Sequence, residues 1–129
     1  MKIALAIALG GALGSVGRYY VIGYAERWLT SLIGTGFPYG TLTVNVAGSF
    51  VLGALVQGLA TSFDVGTVLQ RFLFVGLLGG FTTFSAFSAD TIAMLERGDI
   101  GRALLYIVLS VVLSVGGFYL GLRLVRGVL

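Results

Sequence analysis

The sequence predicts an all-α membrane protein with four transmembrane helices per subunit, the third broken at its centre. Three observations carry that expectation. The 129 residues are 57% hydrophobic and only 10% charged, with a mean hydropathy of +1.04. Four apolar runs, each near the length a bilayer demands, use nearly all of the chain as one domain: residues 3–24, 41–60, 71–96 and 102–123. The third run carries Gly79-Gly80-Phe81-Thr82-Thr83-Phe84-Ser85-Ala86-Phe87-Ser88 at its middle. Paired glycines cost backbone entropy and clustered Thr and Ser compete for backbone groups, so a helix is expected to fail near 79–83. Irregular backbone at membrane depth survives only inside protein or beside a wet cavity. Broken helices at the midplane recur as ion sites built from freed carbonyls and N–H groups. Glycine and hydroxyl residues also make helix-packing seams, and composition weighs the two readings equally.

The first run follows Lys2 and continues past any signal-peptide core, with no A-x-A-like site after it, so it is read as a span. Gly10, Gly14 and Gly17 give it a small-residue face with one GxxxG spacing. Arg18 stands toward its far end. An arginine at the centre of a membrane helix costs about 2.5–3.5 kcal/mol on insertion scales, but near an end it snorkels. It is therefore an anchor, or a charge that draws anions into a vestibule.

Residues 26–38 are expected to form the first connection, an interfacial turn with Trp28 and Tyr39 in the aromatic belt. Pro38, the only proline, suits the start of the next helix. The second run sets Thr41, Asn45 and Ser49 at intervals of four, along one helical stripe. An amide in hydrocarbon needs partners, so Asn45 is expected to face the bundle interior. Its role there is an interhelical hydrogen bond or an N–H donor to a dehydrated anion. Residues 61–69, with Asp64 and Gly66, read as a short loop, and Arg71 marks the entry of the third run. Residues 96–99 read as the next turn. The fourth run repeats the four-residue spacing at Tyr106, Ser110 and Ser114, with Gly117 and Gly121 as a second GxxxG pair.

Composition excludes much chemistry. The chain has no Cys and no His, which removes disulfides, thiol catalysis and the usual zinc or haem ligation. No acid pair lies inside a span, no phosphate-cradling loop has its lysine, and the selectivity-filter run of potassium channels is absent, so the chain is not read as an enzyme. The eight Lys and Arg are scattered, which gives no nucleic-acid footprint. What remains is a path of neutral amide, hydroxyl and phenyl groups. Such groups suit a small anion that must bind and leave quickly, since a phenyl ring offers a positive edge. Phe84 and Phe87, three apart, become neighbours if the helix resumes there.

If all four runs span, Lys2, Arg71, Arg123 and Arg126 lie on one side and Arg18, Arg27, Arg97 and Arg102 on the other. Equal counts assign no orientation. Copies inserted both ways can pair about a two-fold axis in the membrane plane, giving an antiparallel (dual-topology) homodimer.

These residues together resemble the bacterial Fluc fluoride channels, also called the CrcB family. The likeness covers essentially the whole chain. It is carried by the 79–88 stretch, Gly40-Thr41-Leu42-Thr43-Val44-Asn45, the Gly-rich first run ending at Arg18, and the Tyr106/Ser110/Ser114 stripe. The resemblance implies a dual-topology homodimer with two fluoride pathways in the cytoplasmic (inner) membrane. By motif position the pathway falls on Asn45, Phe84, Phe87, Ser88, Tyr106, Ser110 and Ser114, with Arg18 in the vestibule. It also implies a structural Na⁺ at the dimer centre, held by the carbonyls of Gly79 and Thr82 from both subunits. Ala86 departs from the hydroxyl residue common at its place. The implied activity is passive export of fluoride that entered as neutral hydrogen fluoride and ionised in the cytoplasm. The competing reading is a small dual-topology four-helix drug or cation exporter. That reading requires an ionisable carboxylate inside the membrane, whereas Glu26, Asp64, Asp90, Glu96 and Asp99 all fall at or near run ends.

Overall fold

The long apolar runs have no internal proline, and in lipid only a helix satisfies every backbone group within its own segment. A computed structural model describes residues 1–61 and 66–128; the expected loop position Asp64 lies outside the described residues. Helix α1 spans Lys2–Ile33 and α2 spans Tyr39–Thr61. Helix α3 covers 67–81, α4 is Phe84–Glu96, and α5 is Ile100–Val128. With α3 and α4 counted as one broken span, four helical units are long and apolar enough to cross a membrane.

The first connection is shorter than expected. Helix α1 runs on through Trp28 to Ile33, and only residues 34–38 link it to α2. Gly34 and Gly36 carry φ values of 117° and 90°, which make the turn. The Pro38 carbonyl accepts from Leu42 N–H, so Pro38 sits at the mouth of α2 as its residue type predicts. Glu26 on α1 reaches across, and its Oε2 accepts from Gly40 N–H at 2.8 Å. A carboxylate at a helix N-terminus is favoured by the orphan donors there. The α4–α5 turn closes with Gly98 N–H donating to Leu95 O and Asp99 N–H to Met94 O, a Schellman pattern with Gly98 at φ 76°.

Two glycine crossings set the packing. Gly10 and Gly11 of α1 meet Gly76 and Gly80 of α3, and Gly14 lies against the Leu77 carbonyl. A Cβ on Gly76 would lie 2.8 Å from the Ile7 carbonyl and 3.0 Å from Gly10 Cα. The predicted α1 face is thus real, and its partner is a second small-residue pair inside the third span. On the other side α2 packs most extensively on α5. A Cβ on Gly53 would strike the Phe118 carbonyl, and one on Gly121 the Phe50 carbonyl. Between Arg71 and Leu78 the helix widens to π-type turns, and Gly79 N–H reaches back to Phe74 O.

Candidate functional site

The break falls at Thr82–Thr83, at the far edge of the expected stretch. Both residues are extended, at φ −87°, ψ 157° and φ −153°, ψ 118°. Gly79 is helical at φ −63°, ψ −35°, so the glycine pair does not itself break the helix. Gly80 serves close packing instead, since a Cβ there would lie 2.7 Å from the Gly11 carbonyl. The threonines open the backbone because β-branching favours extended geometry and Thr83 caps the helix that resumes at Phe84. Its Oγ1 accepts from Ala86 N–H at 3.2 Å.

The broken backbone is satisfied from two other helices. Thr83 N–H donates to Asn45 Oδ1 at 2.8 Å, and Asn45 Nδ2 donates back to the Thr83 carbonyl at 3.0 Å. Arg18 Nη1 donates to the Thr82 carbonyl at 3.2 Å. Arg18 is therefore drawn to the break rather than standing as a charge at a helix end. Thr82 Oγ1 folds back onto Leu78 O at 2.9 Å. Gly48 of α2 leaves room for the Thr82 methyl, which a Cβ at that position would strike.

These bonds bear on whether the break suits a cation. In an unbroken helix Gly79 O would accept from Thr83 N–H and Thr82 O from Ala86 N–H. Asn45 and the Thr83 hydroxyl take those two donors. The two carbonyls expected to hold Na⁺ are thus among those that the break deprives of their helical donors, and hard cations prefer such oxygen ligands.

Beside the break lies a cavity of about 400 Å³. It brings together Asn45, Gly79, Thr82, Phe84, Phe87, Ser110 and Ser114, with Ser49 added from the α2 stripe. None of its lining residues is ionisable. Ser110 Oγ is buried and makes no hydrogen bond. A buried hydroxyl without a partner is uncommon and costly. The rings of Phe84 and Phe87 lie 5.2 Å apart at 40°, so the helix does resume and make them neighbours. Phe84 is 79% exposed.

The other expected pathway residues lie outside this cavity. Ser88 Oγ donates to Phe84 O at 3.0 Å within α4. Tyr106 is fully buried behind Phe87, 5.3 Å from its ring, with Phe37 edge-on at 5.5 Å on its far side. An aromatic run thus leads from the cavity toward the α4–α5 turn: Phe84, Phe87, Tyr106, Phe37. Tyr106 Oη donates to Asp90 Oδ2 at 3.3 Å. In the sequence Asp90 stands near a run end with no evident role. Its distance of 16 residues from Tyr106 hides a contact that exists only once α4 and α5 pack antiparallel. A cavity of about 230 Å³, lined by Glu26, Phe37, Asp90 and Arg97 among others, lies at this end. A third, of about 650 Å³, is lined on α1 by Arg18, Arg27 and the tyrosines 19, 20 and 24.

Comparison with known proteins gives this geometry its relatives. Residues 5–122 match the family described as CrcB-like protein, Camphor Resistance (CrcB). The chain is 48% identical over 126 residues to the fluoride-specific ion channel FluC of Rhodospirillum centenum, covering 98% of this chain and 97% of that one. It is 47% identical over 123 residues to the protein of the same name from Nitrobacter winogradskyi, covering 95% and 94%. With the one from Agrobacterium fabrum it shares 44% over 126 residues, covering 98% and 97%. The four spans, the polar break in the third and the match over nearly the whole length place this chain in the CrcB family.

Proposed function

We propose that the chain is a passive, fluoride-selective channel of a bacterial cytoplasmic (inner) membrane. It acts as an antiparallel, dual-topology homodimer and lets cytoplasmic fluoride leave down its electrochemical gradient, giving fluoride resistance. Its relatives carry the name of a fluoride-specific ion channel, a function without a catalytic step. The observation that carries the reading is the Ser110 hydroxyl, buried without a partner at a cavity of neutral donors.

Fluoride is small and strongly hydrated, so a pore must replace its water with donors at modest cost. Ser110 and Ser114 offer hydroxyls there. Asn45 offers its second amide hydrogen, the first being given to Thr83. The edges of Phe84 and Phe87 add a weaker positive field and keep water out. Several weak sites without a fixed positive charge let an ion bind and leave fast. The aromatic run through Tyr106, with Ser88 on the same helix as the phenylalanines, continues the route toward the α4–α5 turn. Arg18 and Arg27 line a basic vestibule that concentrates anions.

A second copy accounts for the exposed face. Phe84, Val111 and Val115 stand open at the edge of this polar cavity. An inverted copy about a two-fold axis covers the cavity and brings two breaks together. The carbonyls of Gly79 and Thr82 from both copies would hold a structural Na⁺, whose positive charge would offset the oxygens that the break leaves short of donors. The exporter reading gains nothing from the relatives. Asp90, on the same helix as Phe84 and Phe87, is engaged by the Tyr106 hydroxyl.

Purified protein in liposomes loaded with fluoride or chloride tests the proposal. Rapid passive fluoride efflux with negligible chloride efflux is expected. Equal efflux of both anions, or fluoride efflux only under a proton gradient, would overturn it.

A further inference from the structure

The Thr82 carbonyl has two acceptor sites, and one is taken by a charged donor from another helix. We infer that Arg18 is a positioning and tuning residue of the break: it fixes the Thr82 carbonyl, and its charge weakens the hold of the freed carbonyls on a monovalent cation. The inference rests on the reading of Na⁺ at Gly79 and Thr82.

The break leaves Thr82 O short of a donor. Its helical one is lost because Ala86 N–H goes to Thr83 Oγ1. Asn45 satisfies Thr83 from the α2 side but does not reach Thr82. Arg18 supplies the missing donor from the α1 side. A neutral donor would meet that need equally well. Arginine adds a full positive charge. Among the described residues it forms no ion pair within 4.0 Å, and no acid lines the cavity it shares with the tyrosines. No described acid therefore cancels its charge locally.

A cation held by the Thr82 carbonyl would meet that charge at close range. Two unit charges so placed repel strongly even at an effective dielectric constant of about 20. The fixed charge lowers the hold of the break on a cation below that of the same carbonyls with a neutral donor. Removing the charge while keeping a donor tightens cation binding by roughly tenfold or more.

The test uses the full chain in detergent, with N-methylglucamine replacing Na⁺ at constant ionic strength. Thermal stability of the assembled protein is followed against Na⁺ concentration. Arg18→Gln keeps an N–H donor without charge, and its Na⁺ midpoint is expected at least tenfold below that of the parent. Arg18→Lys keeps the charge, and its midpoint is expected to stay within about threefold. Arg18→Asn offers a second neutral donor, and its Na⁺ midpoint is expected to fall below the parent's as that of Arg18→Gln does. This arm stands even if Arg18→Gln does not fold. Equal midpoints in parent, Arg18→Gln and Arg18→Asn overturn the coupling and leave the cation reading intact. A parallel shift in Arg18→Lys and Arg18→Gln overturns charge as the cause. No Na⁺ dependence in any of the proteins, the parent included, removes the cation reading itself and the inference with it.

Discussion

At the residue scale, Ser110 and Asn45 separate function from folding in opposite ways. Ser110 Oγ has no protein partner, so Ser110→Ala removes no bond from the fold. Stability is expected to change by no more than about 0.5 kcal/mol, while fluoride flux from liposomes falls at least tenfold. Unchanged flux would remove Ser110 from the pathway. Asn45 makes two hydrogen bonds to the Thr83 backbone. Asn45→Ala strands both partners at membrane depth, so it should cost about 1–3 kcal/mol of stability as well as flux. The phenylalanines fall between these cases. Phe84→Ile and Phe87→Ile keep apolar bulk but lose the ring quadrupole. Both variants should assemble as the parent does and lose most fluoride flux. Normal flux in both would mean that the rings only pack.

At the element scale, the third span owes its shape to its neighbours. Gly76 has no room for a side chain, with a Cβ 2.8 Å from the Ile7 carbonyl. Gly76→Ala should cost about 1–3 kcal/mol through separation of α1 and α3, measured by thermal or chemical unfolding in detergent. Gly116→Ala meets open space and should be neutral or slightly stabilising. A reversed order would discount the glycine crossing. The four runs, the failing helix and the α1 small-residue face were legible in the sequence because hydropathy, glycine pairs and hydroxyl clusters act locally. The exact break was not, because Gly79-Gly80 and Thr82-Thr83 both weaken a helix, and Gly11 across the crossing decides between them. The length of α1 was misread for a related reason. Glu26 and Arg27 look like a membrane exit, yet the helix continues because Glu26 is used to cap α2. Arg18 was legible as a charge near a helix end. Its acceptor, 64 residues away, was not.

At the scale of the whole molecule, the turn of Arg18 toward the break changes the charge balance. Lys2, Arg71, Arg123 and Arg126 remain at the ends on one side, against Arg27, Arg97 and Arg102 on the other. A difference of one is a weak bias, so both orientations should still be populated. The chain has no cysteine, so a single Cys after Arg126 is a clean reporter. It should be labelled by impermeant reagents from both faces of the membrane, somewhat more from the cytoplasmic one. Labelling from one face alone would exclude dual topology. Several lysines added beyond Arg126 should drive one orientation and, if inverted pairing is required, abolish fluoride flux.

The clamp on Thr82 and Thr83 also sets an order on biogenesis. Both of its side chains belong to α1 and α2, which leave the ribosome before residues 67–96 do. The third span entering lipid alone would expose the polar groups of its break to hydrocarbon, each at a cost of several kcal/mol. Entering beside α1 and α2, it meets its donors already in place. A nascent segment 67–96 translated without the first two helices is therefore expected to insert poorly or as one continuous rod. Co-expression of residues 1–61 as a separate fragment should rescue it, and Arg18→Ala with Asn45→Ala in that fragment should cancel the rescue. Equal insertion with and without the fragment would mean that the break shapes itself. On this view the amino-terminal hairpin is a template, and the order of the spans along the gene is part of how the broken helix comes to exist.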